Sequence, residues 1–272
     1  MLRSWAAVEV SLRFPGNSSI EIKMSLRNRV RLIAIIPVVL WLVVAVWFVP
    51  PDRFGPVWLL LSALLAVLLG LFLVNLVVRK YLNQFRAALA REDLPTARRM
   101  LQGLSDFYKW RGREVIKTYQ INILLLEARF QEALDGLHAL DMQKLGEKGS
   151  PVAKSQIAWC TAQLGDPAKA ADIIRSVLPQ MERMGPDYSA SAQLVLGVSD
   201  FLLGKAAEAA PQLEKVYASA RGQASRKATA AFYLGESYSA LNQPAEARRA
   251  YQNAIDALPN GRAGIRALER IS

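Results

Sequence analysis

Two long apolar segments without charges lie near the start of the 272-residue chain, and they restrict its fold more than any other feature. Residues 32–49 form an 18-residue run without a charge, and residues 57–78 form a 22-residue run without one. As helices these runs would span about 27 and about 33 Å, which matches a bilayer hydrocarbon core of about 30 Å. Sixteen of the 22 residues in the second run are Leu, Val or Phe, which favours insertion by about 5–10 kcal/mol. We therefore predict a two-helix transmembrane hairpin over residues 30–79.

The alternative for the first run is a cleaved signal peptide, but its apolar part is too long and no small-residue cleavage pattern follows it. Basic residues flank the two spans on their outer sides, namely Lys23, Arg27, Arg29 and Arg31 before the first and Arg79, Lys80 and Arg86 after the second. By the positive-inside rule, both termini are expected in the cytoplasm, with the hairpin in the inner membrane. Residues 1–29 are expected to be a poorly ordered cytoplasmic tail, and either Met1 or Met24 could start the chain.

Small residues on one face of the second span indicate close helix packing. Ser62, Ala66 and Gly70 recur at every fourth position, and such residues let helix backbones approach each other. Packing against the first span is the simpler interpretation, and a homo-oligomer seam is the alternative. Neither span contains a charged residue or a histidine, so a transporter or channel role is disfavoured.

The net charge of +11 is concentrated next to the apolar segments. The part from Arg79 to Arg113 holds nine basic and three acidic residues, whereas residues 114–272 hold 18 basic and 17 acidic residues. A cluster at the end of a span is typical of contact with anionic lipid headgroups, whereas a nucleic-acid footprint would be expected along the soluble part. We therefore predict a lipid-bilayer partner near this cluster and no nucleic acid.

The chemistry-bearing residues are few. A single cysteine, Cys160, and a single histidine, His138, exclude an intramolecular disulfide, a thiolate-rich metal site and a multi-histidine site. Cys160 follows a tryptophan in an apolar segment and is expected to be a small core residue. The sequence predicts no catalytic residue, no metal, no cofactor and no enzymatic activity.

Five eleven-residue windows in the remainder of the chain share one pattern, with alanine at the seventh place and a large apolar residue four positions later. The alanines are 36, 37, 39 and 38 residues apart: Ala97, Ala133, Ala170, Ala209 and Ala247. Each window suits the second of two antiparallel helices, because a small residue near its start allows close approach to the first helix. Residues 80–272 are therefore predicted to form a helical-repeat domain.

The last unit, "AAFYLGESYSALNQPAEARRAYQNAIDALP", resembles a tetratricopeptide repeat (TPR). The matching places are Leu234, Gly235, Tyr238, Ala247, Tyr251, Ala254 and Pro259. The resemblance covers about 190 residues and implies an all-α fold, with a TPR-like α-solenoid of about five helix pairs after the hairpin and a C-terminal capping helix. For that capping helix we predict a buried face of Ile265, Leu268 and Ile271, with Arg262, Arg266 and Arg270 facing water.

The TPR resemblance also implies a groove that binds a protein or peptide and is lined by the first helix of each unit. Its implied residues are Asn122, Ser155, Trp159, Leu194, Val198, Phe201, Phe232 and Glu236. The set is largely apolar and lacks the lysine–asparagine clamp of the chaperone-binding members of the family. The predicted ligand is therefore an apolar or amphipathic helix. The alternative interpretation, that Trp159, Leu194 and Phe201 are core residues, remains open.

Together these features predict a membrane-anchored scaffold or adaptor that binds a partner protein on the cytoplasmic side. The layout, a membrane hairpin followed by helical repeats, also resembles that of the bacterial HemY proteins associated with haem synthesis. That resemblance implies an alternative function as an accessory subunit of a membrane-associated enzyme pathway. A component of a small transporter or channel is the least favoured hypothesis.

Overall fold

The computed structural model describes residues 26–48, 56–107, 113–219 and 223–272, which contain twelve helices and no strand. The helices are α1 (Leu26–Phe48), α2 (Pro56–Ala90), α3 (Leu94–Phe107), α4 (Arg113–Leu126), α5 (Phe130–His138), α6 (Met142–Gln163), α7 (Pro167–Met184), α8 (Pro186–Leu202), α9 (Ala206–Ser219), α10 (Ala224–Ala240), α11 (Pro244–Ala257) and α12 (Arg262–Ile271). Residues 1–25 of the predicted tail and residues 49–55 of the predicted hairpin lie outside the described residues.

The chain divides into two compact units. Unit 1 contains α1, α2 as far as Asn83, and the part of α3 from Gln102 onward. Unit 2 contains the end of α2 from Gln84, the first part of α3 up to Leu101, and all the later helices.

Unit 1 exposes long rows of apolar side chains. Within the described residues, one helix, Leu60–Ala90, is long and apolar enough to cross a membrane; its most apolar 18-residue window has a mean hydropathy of 2.7 and is 11% buried. Leu60 and Leu65 are 72% and 67% exposed. Helix α1 carries a shorter apolar segment, Val30–Trp41, in which Ile35 is 55% exposed. Water-soluble proteins seldom leave so much apolar surface uncovered.

The small-residue face of α2 lies against α1. Ala66 and Gly70 are buried, unlike the leucines around them. A Cβ atom added to Gly70 would lie 2.9 Å from the carbonyl oxygen of Ala34, so no larger residue fits there without displacing α1. This contact agrees with the simpler of the two interpretations of these small residues.

Unit 2 is an all-helical repeat, as predicted. The pairs α4/α5, α6/α7, α8/α9 and α10/α11 follow one another, and each first helix packs on its own second helix. In α3, α5, α7, α9 and α11 the recurrent alanine is the fourth residue, and it is at most 4% exposed: Ala97, Ala133, Ala170, Ala209 and Ala247. The alanine therefore occupies an equivalent buried place in all five second helices.

Glycine in a first helix makes room for the second helix of the same pair. A Cβ atom at Gly235 would lie 2.5 Å from the ring of Tyr251, and one at Gly197 would lie 3.1 Å from Leu213. Tyr251 and Leu213 stand at the same place in their units, four residues after the recurrent alanine. The same contact thus repeats in consecutive pairs.

The other TPR-like positions in the last unit differ in their surroundings. Leu234 and Ala254 are buried, whereas Pro259 is exposed between α11 and α12. Tyr238 is partly exposed and donates a hydrogen bond to Glu214. That hydrogen bond, more than burial, raises the pKa of Tyr238 to about 12.

In each of the five pairs, one three-residue turn joins the first helix to the second. The five turns share one backbone conformation. The middle residue has a left-handed φ of 54°, 59°, 102°, 78° and 57° at Glu92, Ala128, Gly165, Gly204 and Asn242 respectively. The next residue donates its N–H to the carbonyl five positions earlier, for example Asp166 to Thr161 at 3.1 Å. This is the Schellman arrangement, which favours glycine and disfavours residues with a Cβ atom.

Two of these turns give a matched pair of predictions. Gly165→Ala should lower the free energy of unfolding by about 1 kcal/mol, and Ala128→Gly should raise it by up to about 1 kcal/mol. No atom lies within 4 Å of a Cβ placed on Gly165, so the first effect comes from the backbone alone. Urea unfolding of the full chain in detergent micelles, followed by far-UV circular dichroism, measures both. Destabilisation by Ala128→Gly would contradict the left-handed turn.

The phase predicted for the capping helix was wrong. Ile265 and Leu268 are 49% and 55% exposed, whereas Ala263, Gly264 and Ala267 are buried. A Cβ atom on Gly264 would lie 2.2 Å from the carbonyl oxygen of Leu258. Because α12 packs directly on this backbone, its smallest residues face the core and its larger ones face outward. Of the three predicted residues, Ile271 alone packs against the core.

Candidate functional site

A concave pocket of about 340 Å³ lies within unit 2. Its walls come from the first helices of successive pairs, α4, α6, α8 and α10, and from the capping helix α12. On α6, α8, α10 and α12 lining residues recur at a spacing of three or four, as on α6, where Ser155, Trp159 and Gln163 face the pocket. A pocket of this size is at the lower end of the range for ligand sites, about 300–1,000 Å³.

An aromatic cluster centred on Tyr233 forms part of the lining. The ring centroid of Tyr233 is 6.4 Å from that of Trp159, 5.9 Å from that of Phe201 and 5.3 Å from that of Phe232, all in edge-on arrangements. Gln163 donates from Nε2 to the Tyr233 hydroxyl at 3.0 Å. These contacts join α6, α8 and α10 and hold the apolar part of the pocket in place.

Four of the eight predicted groove residues line this pocket: Ser155, Trp159, Leu194 and Phe232. Trp159 is partly exposed and also packs against three core clusters. The interpretation as a groove residue and the interpretation as a core residue therefore both apply to Trp159. It lines the pocket, and it also packs against the core. A substitution of Trp159 would disturb the fold as well as the pocket.

The other four predicted residues lie elsewhere in unit 2. Asn122 accepts a hydrogen bond at 2.6 Å from Gln156, itself a lining residue. Val198 is fully buried in the core. Phe201 packs on Tyr233. Glu236 accepts hydrogen bonds from the Tyr251 hydroxyl at 2.8 Å and from Arg270 at 2.7 Å, so it joins α10, α11 and α12.

The predicted groove and the pocket thus share faces of α6, α8 and α10, but they differ in extent along α8 and α10. On α8 the pocket is lined by Ser191, Leu194 and Val195, so it uses the middle of the helix and stops before Val198. On α10 it is lined from Ser225 to Tyr233 and stops before Glu236. The aromatic packing around Tyr233 closes the space that an open groove would have continued into.

Sequence reasoning missed three arginines in the pocket lining: Arg226, Arg262 and Arg266. Arg226 donates to Ser191 Oγ at 2.7 Å and lies 3.5 Å from the Asp187 carboxylate. Burial lowers the pKa of Arg226 and, together with the charge of Arg266, that of Arg262. Arg262 and Arg266 were expected to face water because the phase of α12 was inferred from its large apolar residues.

The first turn of the repeat and the capping helix meet at the edge of the pocket. Glu92, the middle residue of the turn between α2 and α3, accepts hydrogen bonds from Ser225 Oγ at 2.6 Å and from the backbone N–H of Arg262 at 2.8 Å. The second bond joins residues 170 positions apart. Glu92 also lines the pocket, so one carboxylate connects the two ends of unit 2. We call this contact the Glu92 closure.

The site contains no arrangement that suggests metal or thiol chemistry. Within the part of the chain that the structure describes, no three His, Cys, Asp or Glu side chains lie close enough to share a metal ion. Cys160 is buried, and its burial raises the pKa of the thiol to about 12. The pocket lining combines apolar surface with carboxamides, hydroxyls, guanidinium groups and the Glu92 carboxylate, a combination that suits binding.

Comparison with known proteins adds the fold to this description. No protein-family model matches the chain, and the search of curated proteins gives no match. Among solved structures, the chain is similar to the crystal structure of Bacillus thuringiensis PlcR in complex with the peptide PapR7 and DNA, with a TM-score of 0.54 and 12% sequence identity. The similarity covers 86% of this chain and 94% of that chain. At such identity the likeness shows the fold alone, a TPR-like all-helical repeat.

Proposed function

We propose that this protein is a membrane-anchored adaptor that binds a segment of a partner protein in the concave pocket of its repeat unit. The observation that carries the proposal is the pocket itself, because it is built from the first helices of consecutive pairs together with the capping helix. That surface combines aromatic and apolar side chains with a few polar groups, as peptide-binding sites do. The fold neighbour was crystallised with a peptide and DNA, which supports a binding role.

The uncovered apolar surface of unit 1 supports the membrane anchor. Helices α1 and α2 expose leucine, isoleucine and valine side chains along their length, and only a lipid environment or another protein would cover them. In the proposal both helices cross the inner membrane as a hairpin, held together at Gly70 and Ala34. In the same proposal the basic residues that follow the second span, from Arg79 onward, lie at anionic headgroups, and both termini lie in the cytoplasm, in accord with the positive-inside rule.

A peptide is favoured over nucleic acid as the ligand of the pocket. Nucleic-acid sites expose a stripe of basic residues that follows an extended backbone. Here the arginines line a pocket of about 340 Å³ together with Trp159, Leu194 and Phe232. Such a space suits one or two side chains of a peptide, and a duplex does not fit it. The proposal assigns no catalytic step to the protein.

The experiment that tests the proposal is site-specific photocrosslinking in native membranes washed at high pH. A photoreactive phenylalanine analogue at Thr229, which lines the pocket, should give discrete protease-sensitive adducts. The same analogue at Arg249, an exposed position on α11, should give none. The protein should stay in the washed membranes, and a reporter fused after Ser272 should be active in the cytoplasm. Loss of the protein into the wash would contradict the anchor, and identical adducts from both positions would contradict the pocket.

A further inference from the structure

Two arginines on one face of α12 line the pocket, and each lies over an aromatic ring. The guanidinium carbon of Arg262 lies 5.0 Å from the ring centroid of Phe130, and that of Arg266 lies 4.3 Å from the ring centroid of Phe232. The two arginines are four residues apart, so they stand one helical turn apart on the same face. A cation–π contact uses none of the guanidinium N–H groups in a conventional hydrogen bond, so these donors can serve a ligand.

Neither guanidinium forms a salt bridge within the residues that the structure describes, although the charge of Glu92 attracts Arg262. By contrast, Arg270 on the same helix pairs with Glu236 at 2.7 Å, and Arg226 lies 3.5 Å from Asp187. Glu92 lines the same pocket, but its two carboxylate oxygens accept hydrogen bonds from Ser225 and from the backbone of Arg262. The pocket lining therefore contains three arginines and one carboxylate, Glu92, which is already hydrogen-bonded, and of the three arginines Arg226 has an ion-pair partner, Asp187, within the described residues.

This arrangement costs free energy when the pocket is empty. Arg262 is partly removed from solvent and is repelled by Arg266, and attraction from Tyr233 and Glu92 does not fully offset these effects, so the pKa of Arg262 is lowered. An anion between the two guanidinium groups would remove the repulsion. Guanidinium groups with free edges match the two oxygens of a carboxylate, which they bind through paired hydrogen bonds.

We propose that Arg262 and Arg266 form a carboxylate-binding subsite for an acidic peptide, whose apolar side chain lies against Trp159 and Leu194. This inference rests on the proposed peptide-binding function and specifies its ligand. It also replaces the apolar or amphipathic helix predicted from the sequence by a segment that carries negative charge. The carboxylate is either the C-terminus of the peptide or an Asp or Glu side chain close to an apolar residue.

The test uses the full chain in detergent micelles and an array of fluorescein-labelled octapeptides that place Leu or Trp near Glu. Each peptide is made with Glu or Gln, and with a free or an amidated C-terminus. Fluorescence anisotropy should show that the best binders lose about tenfold or more in affinity when one carboxylate is neutralised. If amidation causes the loss, the subsite takes a chain end; if Gln causes it, the subsite takes a side chain.

Substitutions of Arg262 and Arg266 test whether these two arginines cause the preference for peptides with a carboxylate. Arg262→Gln combined with Arg266→Gln should remove the carboxylate preference, so that paired peptides bind within about twofold of each other. Arg262→Lys with Arg266→Lys should retain part of it, because charge remains and the forked geometry is lost. The matched control, Arg249→Gln, removes one charge from exposed α11 and should leave the preference intact. Thermal unfolding of each variant verifies its fold.

Two outcomes overturn the inference and separate it from the proposed function. Peptide binding that keeps its carboxylate preference in the double Gln variant would overturn the subsite and leave peptide binding in place. Absence of binding to every peptide of the array, with tight binding of a labelled DNA duplex, would overturn both. Binding of the Gln peptides as tightly as the Glu peptides by the unaltered protein, with no effect of amidation, would also overturn the subsite.

Discussion

Replacing Gly264 by alanine is expected to lower the free energy of unfolding of the repeat unit by about 3 kcal/mol or more. The added Cβ atom would lie 2.2 Å from the carbonyl oxygen of Leu258 and 3.2 Å from the Cα atom of Pro259. Both are backbone atoms, so no side-chain rotation relieves the clash. Helix α12 would have to move away, and it carries the buried Ala263 and Ala267 and the two pocket arginines with it.

Urea unfolding of the full chain in detergent micelles measures this effect. The matched control is Ile265→Ala, one position further along α12, where the side chain is 49% exposed. That substitution should change stability by no more than about 0.5 kcal/mol. Equal losses in the two variants, or a loss confined to Ile265→Ala, would mean that α12 packs in the phase first predicted from its large apolar residues.

The capping helix α12 is a case in which the hydrophobic pattern predicted the wrong buried face. Ile265 and Leu268 suggested a buried apolar face, but burial in α12 is decided by how closely its backbone approaches residues Leu258 and Pro259. A prediction based on large hydrophobic residues assumes that the helix lies far enough from its neighbour for large side chains to fill the space between them. Where two backbones touch, the smallest residues face inward instead. The sequence contains that signal in Ala263, Gly264 and Ala267.

The repeat itself was predictable because its signal is local and recurs. Alanine at one place in every second helix reflects one packing requirement, and the structure buries all five alanines at the fourth helical position. The turns follow a common backbone form, although Glu92 and Ala128 occupy places where glycine would be easier. Because glycine is absent at these two places, the sequence of the first two turns does not reveal the common form.

The pocket was predictable only in part, for a different physical reason. The TPR resemblance implied groove residues on α6, α8 and α10, and four of them, Ser155, Trp159, Leu194 and Phe232, line the pocket. The extent of the pocket depends on packing between distant elements, such as the ring of Tyr233 against Phe201. The charge of the pocket comes from α12, which contacts a turn 170 residues earlier. No local pattern encodes such a contact.

Removal of the Glu92 carboxylate is expected to have the second largest effect. Glu92→Ala deletes both hydrogen bonds of the Glu92 closure, to Ser225 Oγ and to the backbone of Arg262. Hydrogen bonds to a charged acceptor contribute about 1.5–3 kcal/mol each when buried, and partial exposure of Glu92 reduces their sum to about 2–3 kcal/mol. Hydrogen–deuterium exchange should therefore accelerate at the amides of α12, although the substitution lies between α2 and α3.

Two further variants separate the carboxylate from the backbone. Glu92 has a φ of 54°, so Glu92→Gly loses the same hydrogen bonds but gains about 1 kcal/mol from the left-handed conformation. Glu92→Gln keeps an acceptor oxygen and loses the charge. The Gln variant should therefore be more stable than the Ala variant, and it should bind acidic peptides more tightly than the unaltered protein. The expected order of stability is glutamate first, then glutamine and glycine, and alanine last. If alanine and glycine were equally unstable, or if exchange at α12 did not change, the two ends of the repeat would not be joined through this carboxylate.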